Sequence, residues 1–137
     1  MTTPLQRLPD WRLRLDALVY SRLHEPFAWG SNDCALFAAD CVQAITGVDL
    51  AVELRGRTLQ QAAAVQRANG GLAALACRLL GPMVGVYQSR PGDVALVPIG
   101  KRVALGVVID FSSVVGPGAT GLQAMSRRQA LCAWRVG

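Results

Sequence analysis

Apolar residues recur at helical spacing in the first segment, as Trp11, Leu15, Leu18, Val19 and Leu23, with Arg12, Arg14, Asp16 and Arg22 largely between them. The pattern predicts an amphipathic helix opened by Pro9-Asp10 and ended at His24-Glu25-Pro26, because proline disfavours a helical conformation in the residue before it. The stretch from Phe27 to Asp33 reads as a turn in which Gly30 permits tight backbone and Ser31, Asn32 and Asp33 are all capping residues. A second helix is expected from Cys34 to about Thr46, stopped by Gly47, with Cys34, Phe37, Ala38, Cys41, Val42 and Ile45 on one stripe facing the core. Val48 to Arg57 reads as a loop, followed by an Ala-rich helix from about Thr58 to Asn69 and another from Leu72 to Leu80.

After Gly81-Pro82 the period changes. Short runs rich in Val and Ile follow, namely Met83 to Tyr87, Asp93 to Ile99, Arg102 to Asp110, Ser113 to Val115, Leu122 to Met125 and Ala130 to Val136. Pro91-Gly92, Gly100-Lys101 and Gly116-Pro117-Gly118 punctuate them as turn signals. Helices first and strands afterwards predict an α+β fold, with N-terminal helices packed on a C-terminal antiparallel sheet.

Composition narrows this to one compact domain spanning residues 1–137, with 52% hydrophobic and 17% charged residues and no repeat or low-complexity linker. A chain of this size buries roughly two thirds of its unfolded surface, so its core needs no disulfide or metal. The N-terminal stretch lacks the basic-then-apolar order of a secretory leader, and every long apolar run is cut short by Arg, Asp or Gly; the expectation is a soluble, unexported protein without a membrane span. Of the 14 basic residues only Lys101 is not arginine, which suits fixed ion pairs and protein interfaces. Arg127, Arg128 and Arg135 have no interleaved aromatics, so a nucleic-acid platform is not expected. Gly116 to Gly121 lacks the Gly-Lys-Ser/Thr signature of a phosphate loop and reads as a hairpin loop.

Cys34 is the residue with chemical potential, since the unpaired N–H groups and dipole at a helix start stabilise a thiolate. A bland alternative is a core cysteine, with Cys41 two turns further along the same stripe. Cys34, Cys41, Cys77 and Cys132 could in principle hold zinc or a cluster, but their spacing matches no short ligand motif, so neither metal nor cofactor is expected.

Trp29-Gly30-Ser31-Asn32-Asp33-Cys34, followed by a helix and later by Gly92-Asp93-Val94, resembles the NlpC-type, papain-like cysteine peptidases of bacterial cell walls. Over nearly the whole chain, the ordered set that also includes Phe27-Ala28, Ala39-Asp40, Thr46-Gly47, Leu54-Arg55-Gly56, Ala104-Leu105-Gly106 and Ala133-Trp134-Arg135-Val136 resembles small tail-cluster proteins of siphophages and gene transfer agents. In active NlpC-type enzymes the strand after Gly-Asp-Val opens with the catalytic His, then an apolar residue and Gly. The corresponding stretch here is Ala104-Leu105-Gly106, so Ala104 stands at the position of the lost His and Cys34 at a vestigial nucleophile position. Val114, Val115 and Gly116 offer no polar third partner either. A papain-like mechanism needs an imidazole to take the thiol proton and later protonate the leaving amine. The single His24 is read as a surface residue at a helix end, Asp33 as a cap, and Asp40 as solvent-facing or Arg-paired.

The resemblance implies a structural component of a phage tail tip or baseplate, made in the host cytoplasm and located in the virion. Its partners would be other tail-tip proteins such as the hub and distal tail proteins, with the Arg-rich ends and an exposed Trp11 or Trp134 as contact points. The alternative is an active cysteine peptidase that opens peptidoglycan during genome entry, with Cys34 as nucleophile and a base from His24 or a neighbouring subunit.

Overall fold

The computed structural model describes residues 4–137; residues 1–3, part of the stretch read above for a leader, lie outside the described residues. Four helices precede a five-stranded sheet. They are α1 (Trp11–Arg22), α2 (Cys34–Thr46), α3 (Leu59–Ala68) and α4 (Leu72–Leu80), followed by β1 (Val94–Ile99), β2 (Arg102–Val108), β3 (Ser113–Gly118), β4 (Gly121–Ser126) and β5 (Cys132–Trp134). The sheet is antiparallel throughout, in the order β4-β3-β2-β1-β5. The expected α+β architecture is therefore present. No helix is long and apolar enough to cross a membrane among the described residues.

The helix boundaries follow from their caps. Asp33 accepts from Leu36 N at the start of α2, and Gly47, with φ +81°, closes its other end through a bond to Gln43 O at 2.7 Å. Thr58 and Gln61 form a reciprocal capping box at the start of α3.

Helix α2 is the hub of the core. Phe37, Ala38, Cys41, Val42 and Ile45 pack with Leu15 of α1, Leu72 and Ala76 of α4, and Val94, Leu96, Leu105, Val107 and Trp134 of the sheet. Its other flank, Leu36 and Ala39, packs with Ala51, Leu54 and Leu75, so the helix is buried on two sides where its sequence stripe shows one. The far face of the sheet is also covered: Ala95, Val97, Val108, Val114 and Ala133 pack with Val84, Met125 and Ala130. Two-sided burial explains why these strands read as continuous apolar runs without alternation.

Three local expectations need correction. Met83 to Tyr87 is not a strand of the sheet, since it holds only a Val84–Ala133 bridge before a 3-10 turn at Val86–Gln88. Gly116-Pro117-Gly118 lies inside β3, and the hairpin turns at Ala119-Thr120. Trp134, expected as an exposed contact, is fully buried, with its Nε1 donating to Cys77 Sγ at 3.4 Å.

Candidate functional site

The loop ahead of Cys34 is shaped by main-chain bonds that leave little choice of residue. Gly30 has φ +80°, its N–H donates to Asp33 Oδ2 at 3.1 Å, and a Cβ there would fall 2.5 Å from Arg57 O. Gly56 N donates to Gly30 O at 2.8 Å, which joins the Trp29-Gly30 and Arg55-Gly56 motifs into one contact. Asn32 is buried: its Nδ2 donates to Pro26 O at 3.0 Å and its Oδ1 accepts from Arg22 at 3.0 Å. Arg22 continues to Asp40 at 2.7 Å, Asp40 to Arg55 at 2.7 Å, and Arg55 to Asp49 at 3.0 Å. Asp40 is thus Arg-paired, and the polar motif residues form a bracket that holds the start of α2.

Within that bracket Cys34 is half-buried. Burial pushes its thiol up from the ordinary range, and the neighbouring Asp33 carboxylate adds to the rise. The Leu105 N–H and the helix-start amides of Ala35 and Cys34 pull the other way without prevailing.

Cys34 opens onto a cleft of about 590 Å³, walled by Phe27 and Trp29 on one side and by residues of β1 to β4 on the other. Ala104 of β2 lines it together with Leu105 and Gly106. No imidazole is among the lining groups; Arg102 and Gln123 supply the longer polar side chains. His24 is exposed and packs by its backbone on the β3–β4 turn, where a Cβ on Gly121 would lie 3.0 Å from His24 Cα. Val114, Val115 and Gly116 also line the cleft and present no polar side chain.

The cleft exists because two hairpins part. β1 pairs with β2 from Ile99↔Arg102 to Val94↔Val107, and β3 with β4 from Ser113↔Ser126 to Gly118↔Gly121. Between β2 and β3, however, the ladder contains only Val107↔Val115 and Val108↔Val114. Carried on by register, Leu105 would face Pro117, which has no N–H to donate. Gly118 O accepts from Phe27 N at 2.8 Å and Leu23 O from Leu122 N at 3.0 Å. The α1–α2 connection thereby draws the β3–β4 hairpin away from β2. Sequence reading did not single out Phe27, Trp29, Arg102 or Pro117 for this role; a proline inside a strand is the signal that marks the break.

The four cysteines do not converge, and no three of His, Cys, Asp and Glu gather as a metal site among the described residues. Cys41 is sealed in the core, where burial pushes its thiol far up. Cys132 is raised by burial and then by Cys77 beside it. Arg127 does not form an open patch with Arg128 and Arg135: its guanidinium binds Phe111 O at 2.8 Å and Val86 O at 3.1 Å beneath the Tyr87 and Phe111 rings.

The fold is similar to the crystal structure of the NlpC/p60 domain of peptidoglycan hydrolase SagA, with a TM-score of 0.57 and 17% identity over 90% of this chain and 97% of that one. At that identity the likeness is one of fold, and it places the chain among NlpC-like α+β structures. Among curated proteins no sequence matches this one. Residues 6–136 do match the family described as a domain of unknown function (DUF6950), and the chain belongs to that family.

Proposed function

We propose that this chain is an NlpC-type domain used for binding and not for catalysis, serving as a structural component of a phage tail tip or baseplate in contact with other tail-tip proteins. One observation carries the non-catalytic part: the cleft that exposes Cys34 is lined by Ala104 and contains no imidazole. Ala104 stands where the resemblance to NlpC-type enzymes puts the base, and the half-buried thiol, raised above its ordinary range, has no imidazole in the cleft to take its proton. The tail assignment is supported by the ordered motifs from Phe27 to Val136, many of which serve here as frame: Gly30 with Gly56, Asp40 with Arg55, and Asp93 with Arg7.

Mass spectrometry of purified particles, combined with infection assays of a Cys34→Ala phage, tests both parts. The chain is expected in the particle, and Cys34→Ala particles are expected to assemble and infect normally. Absence from particles, joined to peptidoglycan cleavage by the free protein, overturns the proposal. A second reading, a peptidase with Cys34 as nucleophile, is favoured by the placement of that thiol at a helix start facing an open cleft. Its mark is normal assembly with lost infectivity in Cys34→Ala.

A further inference from the structure

Two of the four thiols share one interface outside the cleft. Cys132 and Trp134 lie two residues apart on β5, so their side chains leave the same face of the strand. Both pack on the helix-side core, while Ala133 between them packs on the far side of the sheet. Cys77 of α4 packs on that same helix-side core, and its Sγ accepts from Trp134 Nε1 at 3.4 Å. The Cys77 sulfur is thus pinned on the indole that neighbours Cys132, and after burial it is the charge of Cys77 that raises the Cys132 thiol. Both thiols are free and half-buried. Cys77 also lines a surface hollow of about 300 Å³ together with Arg78 and Arg135, which gives a small solute a way to its sulfur. Cys41, by contrast, is sealed in the core, and Cys34 belongs to the cleft.

We infer that Cys77 and Cys132 form an oxidation site, a dithiol that hydrogen peroxide converts to a disulfide joining α4 to β5. The Cys77 thiolate attacks one peroxide oxygen from the hollow; an S–O bond forms, the O–O bond breaks, and the released hydroxide takes a proton and leaves as water. The Cys132 thiolate then attacks the Cys77 sulfenic sulfur; the S–S bond forms, the S–O bond breaks, and a second water leaves. In all, the two thiols give up two electrons and two protons, and the peroxide takes both. The new bond fastens the last helix of the helical layer to an edge strand of the sheet. Because the two positions are far apart in the chain, the link restricts the unfolded state strongly and raises stability. The inference is independent of what the Cys34 cleft does.

The test is a peptide map of the folded full chain after treatment with hydrogen peroxide, with the remaining thiols capped by iodoacetamide. A disulfide between the tryptic peptides 68–78 and 129–135 is expected. The midpoint of thermal unfolding is expected to rise by about 5 °C or more and to return on reduction with dithiothreitol. In Cys132→Ser, oxidation is expected to stop at a Cys77 sulfenic acid that dimedone traps. Cys77→Ser keeps a hydroxyl to accept from Trp134 Nε1, and there Cys132 is expected to remain a thiol. The wild-type map decides the matter even if a variant fails to fold. No link between the two peptides, a link that forms only in urea, a link between two chains, or a link from either cysteine to Cys34 overturns the inference.

Discussion

Asp93 sits in the Gly92-Asp93-Val94 motif, and replacing it with asparagine separates a structural account of that motif from a chemical one. Its side chain is fully buried. Oδ1 accepts from Arg7 at 3.0 Å and from Val136 N at 2.9 Å, and Oδ2 accepts from Arg90 N at 2.8 Å. The Arg7 side chain is itself only 13% exposed, and burial lowers its pKa even with the carboxylate beside it. In Asp93→Asn one accepting oxygen becomes a donor, so at least one bond made to a charge is lost, at about 1.5–3 kcal/mol. The guanidinium also loses its counter-charge, and breaking a buried pair from one side costs about 3–5 kcal/mol in total. Arg7 keeps bonds to Pro91 O and Val136 O, both at 2.8 Å, so the lower end, about 3 kcal/mol, is expected. A domain of this kind has only about 5–15 kcal/mol to lose. Urea unfolding followed by circular dichroism measures it, with the m value checked for constancy. Arg7→Met and the double variant complete a cycle, in which the double change should be milder than the sum by about 1–3 kcal/mol. A loss below about 1 kcal/mol in Asp93→Asn at constant m would refute the claim that this carboxylate clasps the N-terminal segment to Val136, just past the last strand.

Cys34 is expected to alkylate with iodoacetamide more slowly than a free thiol, with a rate that titrates above the ordinary value of about 8.5; a profile breaking near neutral pH would show an activated nucleophile. Gly30→Ala should destabilise by about 2 kcal/mol or more, since it combines a positive φ with a clash against Arg57 O, and calorimetry checks this. The bond from Arg55 holds the Asp49 carboxyl below its usual range, so that contribution is complete above about pH 4 and is lost as pH falls through the lowered folded value. Urea midpoints in wild type and Arg55→Met should accordingly converge as pH drops below that point, and parallel curves would refute the assignment.

The architecture was legible because its signals are local. Pro9-Asp10, Asp33 and Gly47 punctuate the first two helices where the structure begins and ends them, and the change of period after Gly81 separates helices from sheet. Cys34 and Ala104 were likewise visible as sequence positions, and both line the cleft. The cleft itself was not, because it depends on tertiary contacts: Phe27 and Leu23 bond the β3–β4 hairpin at Gly118 and Leu122, and no local pattern announces a contact between segments so far apart in the chain. Trp134 was misjudged because its apolar bulk, close to the end of the chain, carries no sequence signal for the face of β5 it occupies. The span from Gly116 to Gly118 was misjudged because two glycines and a proline resemble a turn even where register keeps them extended.

Asp33 holds the turn and the helix start together, its Oδ2 accepting from Gly30 N and its Oδ1 from Leu36 N. Asparagine would keep one of those bonds, whereas alanine would lose both. The acid beside the sulfur thus has a sufficient cause in backbone satisfaction alone, and a matching Asp-Cys signature in another chain is no guarantee that anything is hydrolysed there.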